Sequence, residues 1–436
     1  MDRVIILECV LASLLRFWLS HSEYKQIIAD RVEVSTPVNS WKRVLEGSVL
    51  YDEGIDPYKG DIFHETPFIL VVSNWLMHNF SPTLICLIFI ACDILTAVLL
   101  YKTAALFMNE LFLKQEKEKG GYAPGTEDLH VTKDDIKTPP IYVLSAFLFN
   151  PYIICPCVAQ STTVFANCLL AATLYFMAAR QRILCCLCLS AATVQSIYPI
   201  SLIAPIYLYF YKPGQAVKTF LILVFYVLLF IAIFLFAFAQ LDGGSWNYLN
   251  SVYGFVLTVP DLRPNVGLFW YFFTEMFEHF RPLFVCAFQI NALFLYVVPL
   301  SFRLYEEPML LATSLTALSA IFKSYPSVGD VGFYLSLLPM WKHLFHYMQQ
   351  GFFVLCFLIG TSVFGPTVWH LWIYARSANA NFYFGVTLAF ATSQVCSCFC
   401  KLSSNSSRCP LETGEFSRDF DTLFATSVTS NPLKGC

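Results

Sequence analysis

Long apolar runs, divided by short polar breaks, fill most of the chain. Ile183 to Tyr211, Val217 to Ala239, Leu283 to Phe302 and Phe352 to Tyr374 are each long enough to cross a bilayer as one helix. Lipid offers backbone N–H and C=O groups no partner, so a span of roughly 20 apolar residues must close its hydrogen bonds internally. The pattern predicts an all-α polytopic membrane protein with roughly 10–12 transmembrane or re-entrant helices. Val4 to Leu19, which carries Glu8 and Arg16, reads as an uncleaved first span, since no clean small-residue cleavage site follows it. Phe68 to Met77 and Leu84 to Phe107 come next, then Ile141 to Val158 and Val164 to Ala179 as closely spaced hairpins. Beyond Ala239 the runs shorten. Trp246 to Pro260, Val266 to Phe280, Met309 to Phe322 and Val331 to Leu344 have the size of re-entrant or broken helices, tolerated where protein or a cavity shields the backbone.

These runs define a multi-span membrane domain over residues 1–392, interrupted by polar loops at 20–66 and 114–139. From Ser393 the last run decays through Cys396, Cys398 and Cys400 into a Ser/Thr/Asn-rich tail, 393–436, expected to be disordered. The composition agrees with a bilayer environment: 57% of residues are hydrophobic and 13% charged, where soluble domains carry roughly 25%. A net charge of -3 gives a nucleic-acid partner no electrostatic support. Most of the 16 cysteines lie inside apolar runs, as Cys155, Cys157, Cys185, Cys186 and Cys188 do, where they serve as small apolar filler. No histidine stands at ligand spacing from them, so neither zinc nor any other cofactor is expected. Arg180 with Arg182, and Lys212 with Lys218, fall on opposite faces and cast no clear vote on orientation.

Four polar constellations carry candidate chemistry. The first loop holds Asp30, Arg31, Glu33, Arg43, Glu46, Asp52, Glu53, Asp56, His64 and Glu65. Acids in such a loop are where polyprenyl-phosphate-dependent glycosyltransferases keep the base that deprotonates a sugar hydroxyl; a structured loop with charged turns accounts for the same residues. Glu275, Glu278 and His279, spaced i, i+3, i+4, are expected to share one face of an interfacial helix, with one ligand too few for a metal. Lys323 and Asp330 flank turn residues between two apolar runs, so Lys323 meets either Asp330 or a lipid phosphate. Trp369 to Tyr374 marks a bilayer interface, and Arg376, Asn379 and Asn381 follow it. Amides there offer donor and acceptor to sugar hydroxyls or phosphates.

Several of these stretches resemble one family. Arg31–Val34, Ser40–Gly47, Asp56–Tyr58 and Phe63–Pro67 look like the first luminal loop of the U subunit of GPI transamidase, phosphatidylinositol glycan class U. Val259–Leu262, Pro264–Asn265, Gly267–Phe273, Glu275–Phe280, Ile321–Asp330 and Trp369–Asn381 match as well, so the resemblance runs from about residue 1 to 393. It implies a mannosyltransferase-like (GT-C type) architecture and a place in the endoplasmic-reticulum membrane. The implied complex removes a carboxyl-terminal signal from a precursor protein and joins the new end to a GPI glycolipid. Its thiol protease is another subunit, so this chain is expected to be non-catalytic. Its partners would be the other subunits, the glycolipid, precursors bearing the signal, and membrane lipids.

On that reading Asn379, Asn381, Lys323 and Asp330 would bind the glycolipid, and Lys212, Lys218 and Arg303 would meet anionic headgroups. Phe269 to Phe280 would line acyl chains. The rival is an active glycosyltransferase with Asp30, Glu33 or Asp52 as base. It is disfavoured because the close acidic pair, Asp52-Glu53, comes late in the loop. A transporter ranks third, for want of an inverted repeat.

Overall fold

The computed structural model describes residues 2–117, 131, 136–347 and 350–406, and every regular element among them is helical. The first helix, α1 (Asp2–Ser20), is followed by a loop region carrying α2 (Tyr24–Ala29) and α3 (Trp41–Asp52). Proline opens α4 (Pro67–Asn79), α5 (Pro82–Lys117), α7 (Pro151–Val158) and α16 (Pro308–Phe322). At the first helical position its missing N–H would have had no partner, and its fixed φ already suits the helix.

Between these lie α6 (Thr138–Leu148), α8 (Thr163–Ala178), α9 (Arg182–Gln195), α10 (Ile203–Phe210) and α11 (Ala216–Leu241). Short pieces α12 (Phe255–Thr258) and α13 (Phe269–Glu275) lead to α14 (Arg281–Ile290) and α15 (Val297–Arg303), which a π turn joins. The chain closes with α17 (Val328–Leu337), α18 (Gly351–Ile373) and α19 (Ala380–Ser406). Among the described residues four helical stretches are long and apolar enough to cross a membrane: α5, α11, Glu278–Arg303 and α18. The pair α6 and α7, bent by 45°, makes a fifth if taken as one broken span.

One expected span is not a single helix. Ile183 to Tyr211 divides at Ser196, whose backbone is extended (φ -152, ψ 127), and resumes as a 3-10 turn at Tyr198–Leu202 before α10. Pro199 cannot donate to the Gln195 carbonyl, nor Pro205 to that of Ser201, so two helical rungs are lost within one apolar run. At the other end, α19 stays helical to Ser406, beyond the expected boundary at 393, and the rest of the tail lies outside the described residues. Most of the polar loop expected at 114–139 also lies outside them; α5 remains helical through Lys117 and α6 starts at Thr138.

The core forms where α5 meets α6 and α8, with Leu100, Met108, Leu144, Phe147, Leu174 and Leu310 all buried. Two charges sit inside this apolar interior. Arg16 of α1 donates from Nε to Asp93 Oδ2 of α5 at 2.6 Å and from Nη1 to the Leu148 carbonyl at 2.8 Å. Charges at such depth are costly unless paired. Here the guanidinium also satisfies a carbonyl left over where α6 ends.

The α18–α19 hairpin stands at one edge. Its described hydrogen bonds to the remainder of the chain run from Tyr152 to Ser362, Tyr271 to Asn381, Tyr334 to Gln394, and Tyr383 to Glu33.

Candidate amphiphile-binding site

Close helix packing positions the site. A Cβ at Gly332 of α17 would lie 2.7 Å from the Ile153 side chain of α7, so the small residue lets the two helices approach. The segment preceding α17 is then fixed by a capping box: Ser327 N–H and Oγ both donate to Asp330 Oδ2, at 2.9 and 3.0 Å, while the Ser327 side chain meets the Asp330 backbone. Val328 N–H donates to the Glu33 carbonyl at 2.9 Å, which ties the first loop to this turn.

Between this scaffold and the hairpin lies a cavity of about 210 Å³. Val34, Tyr152, Val266, Val328 and Phe390 give it apolar walls, and Gly365 and Pro366 of α18 face it from the hairpin. A Cβ on Gly365 would find nothing within 4 Å, so that wall is open space. At its polar end Arg31 and Glu33 form a two-point ion pair, at 3.0 and 2.9 Å, and the buried Tyr383 hydroxyl donates to Glu33 Oε1 at 3.5 Å. An apolar chamber with a charged, hydrogen-bonding end has the chemistry of an amphiphile's two halves.

The residues singled out in the sequence do not all meet there. Lys323 Nζ lies 2.6 Å from the carboxylate of Asp330, one of its two candidate partners. Both line a separate internal cavity of about 60 Å³ with Asn167 and Tyr198. Asn379 and Asn381 are exposed at the hairpin's turn, where Arg376 adopts a positive φ of 55°. Asn379 Oδ1 accepts from Phe382 N–H at 3.2 Å, and Asn381 Oδ1 accepts from the Tyr271 hydroxyl at 2.5 Å. Tyr383, two residues on, is buried and lines the larger cavity, but neither amide is among its lining residues. Lys212 and Lys218 are exposed around the start of α11, and Arg303 is exposed at the end of α15.

Glu275, Glu278 and His279 do not share a helix face. The backbone turns extended at Met276 (φ -85, ψ 143), and Glu278–Phe280 is a separate 3-10 turn. Among the described residues no three His, Cys, Asp or Glu side chains converge as a metal site. The three loop acids weighed as a base are all engaged: Asp30 with Lys42, Glu33 with Arg31, and Asp52 with Asn74 at 2.8 Å and His78 at 3.4 Å.

Glu65 is a more unusual carboxylate than any of these. It is buried, accepts from the Thr162 hydroxyl, and accepts from Gln195 Nε2 at 2.7 Å. Burial raises its pKa from 4.5 to about 7 against the opposing pull of these hydrogen bonds. It therefore joins the first loop to the start of α8 and the end of α9. The pairing of Arg16 with Asp93 and the cavity at Gly365 had no counterpart in the sequence reading; Pro366 inside an apolar run was the one visible hint of the latter.

The helical bundle, its membrane-length elements and its polar-ended cavity define a polytopic membrane protein. A family profile described as GPI transamidase subunit PIG-U matches residues 8–390. The human GPI-anchor transamidase component PIGU is 41% identical over 403 residues, covering 90% of this chain and 91% of its own. The fission-yeast GPI transamidase component GAB1 homolog (Schizosaccharomyces pombe) is 29% identical, covering 86% and 87%. GAB1 of Saccharomyces cerevisiae is 28% identical, covering 84% and 85%. The chain belongs to the PIG-U family and is a subunit of GPI transamidase.

Proposed function

We propose that this chain, in the endoplasmic-reticulum membrane, holds the GPI glycolipid while a separate thiol-protease subunit of the complex exchanges the precursor's carboxyl-terminal signal for it. The chain itself supplies no reacting group. It acts as a lipid-binding scaffold, with the glycan–phosphate region against Asn379 and Asn381, and with Lys212, Lys218 and Arg303 toward anionic headgroups. Lys323 and Asp330, paired with each other in the lining of the smaller cavity, complete the glycolipid contacts. The hydrophobic tail of a precursor's signal, roughly 10–20 residues long, has the same amphiphilic character and is the alternative occupant.

The observation that carries this reading is the cavity of about 210 Å³ between the hairpin and the bundle, apolar along its walls and charged at Arg31 and Glu33. Gly365→Leu tests it, because the new side chain projects into open space rather than into a neighbour. In cells that depend on this chain, surface display of a GPI-anchored reporter should drop several-fold while the other subunits still co-purify with it. Full display at equal expression rejects the assignment.

A further inference from the structure

Helix α19 continues past the point where the sequence loses its apolar character. It is 27 residues long, ends at Ser406, and carries Cys396, Cys398 and Cys400 just ahead of Lys401. At 1.5 Å per residue Cys400 stands about 30 Å along the axis from Ala380, which is the thickness of a hydrocarbon core. Cys398 is about 3 Å short of that depth and Cys396 about 6 Å short. Polar Lys401, Ser403, Ser404 and Asn405 occupy the last turns, so the apolar stretch is complete at Cys400.

Packing decides which boundary this is. The turn of the α18–α19 hairpin lies on the side of the first loop, because Tyr383 just beyond it donates to Glu33. The other end of α19 lies across the bundle, where Gln394 accepts from Tyr334 of α17. Past α17, Trp341 packs on Phe107 of α5 with ring centroids 5.7 Å apart, one turn from Glu110, and Lys342 follows. Glu110 pairs with Arg180, and the Arg182 guanidinium lies 5.6 Å from the Phe210 ring. Tyr207 meets Phe220 at 5.6 Å, which brings Lys212 and Lys218 alongside. The two basic pairs expected on opposite faces therefore share one, because Ile183 to Tyr211 folds back at Ser196 instead of crossing. The positive-inside bias assigns this face to the cytoplasm.

Cysteines beside the membrane boundary of a span are substrates for reversible S-acylation. We propose that Cys398 and Cys400 are acylated with long-chain fatty acids taken from acyl-coenzyme A. The cysteine sulfur attacks the carbonyl carbon of the acyl thioester. A new S–C bond forms, the bond to the coenzyme A sulfur breaks, and the departing thiolate takes the cysteine's proton. One thioester replaces another, so no oxidant or reductant is needed. Cys396, half-buried and deeper in the hydrocarbon, is spared, and Cys157, Cys185 and Cys186 are buried inside the bundle. The added chain inserts beside the hairpin and holds the end of α19 at the boundary. This modification does not depend on what fills the cavity at Gly365.

Acyl exchange on the full chain, purified with its complex, provides the test. Free thiols are blocked with N-ethylmaleimide and thioesters are cleaved with neutral hydroxylamine. The released thiols are then tagged with a maleimide polymer that adds one gel step per site. Wild type should show one or two hydroxylamine-dependent steps. Cys398→Ser combined with Cys400→Ser should abolish them, and Cys396→Ser should leave them unchanged. Co-purification of the other subunits reports that each variant has assembled. Mass spectrometry of the tagged wild-type peptides places the label without any substitution. No hydroxylamine-dependent step in wild type, label mapped elsewhere than Cys398 and Cys400, or steps retained in the double variant overturns the proposal.

Discussion

Replacing Asp93 with Asn removes the counter-charge of a guanidinium whose side chain has no exposure. The partners meet at 2.6 Å between two helices, α1 and α5, in the middle of the apolar core. Leaving one member of a buried pair uncompensated costs about 3–5 kcal/mol, which is roughly a hundredfold to a few thousandfold in the folding equilibrium. Arg16→Met should cost more than this, because it also strands the Leu148 carbonyl that Arg16 Nη1 holds at 2.8 Å, a further penalty of about 1–3 kcal/mol. The double variant Arg16→Met/Asp93→Leu, with both charges gone, should recover most of the loss and retain only the carbonyl's share. Titrating detergent-solubilised protein with SDS and following tryptophan fluorescence gives the unfolding midpoints of the four proteins. If Asp93→Asn unfolds with wild type, or the double variant is no better than either single one, the pair does not carry the energetic role assigned to it.

Two further outcomes follow from the loop and the hairpin turn. Because Glu65 has a folded pKa of about 7 against 4.5, the protonated acid is favoured by folding. The stabilisation is complete below about pH 4.5 and is lost as pH rises through about 7, by at most about 3 kcal/mol. Thermal midpoints of wild type should therefore fall between about pH 5 and about pH 8, and Glu65→Gln should flatten that slope. A slope equal in the two proteins would contradict the burial argument. Replacing Asn379 and Asn381 together by Ala should lower display of GPI-anchored reporters while leaving subunit assembly intact, and normal display at equal expression would remove both residues from the proposed headgroup contact.

The sequence announced the helical membrane architecture because apolar length is a direct consequence of bilayer thickness, and the runs at Val217 to Ala239, Leu283 to Phe302 and Phe352 to Tyr374 all emerge as helical stretches. It concealed the division of Ile183 to Tyr211, since Pro199 and Pro205 sit in a stretch whose composition is that of one span. Spacing misled at Glu275, Glu278 and His279, where one extended residue, Met276, cancels helical periodicity. The site was harder still. Arg16 and Asp93 are 77 positions apart, and the cavity draws on the first loop, α7, α17 and both helices of the hairpin. No local pattern marks residues that become neighbours only through tertiary packing. The family motifs gave the assignment that physical periodicity alone did not.

All four hydrogen bonds described between the α18–α19 hairpin and the body of the protein end on a tyrosine hydroxyl. A phenol is a stiff spacer with few rotors and a polar tip, so these rings act as struts that set how far the hairpin stands off. Removing a single oxygen, as Phe would, keeps the strut's length and unfastens its end. The chain thus carries four separate latches along this hairpin, two of them, at Tyr152 and Tyr383, in the lining of the cavity of about 210 Å³, each releasable without a change in shape.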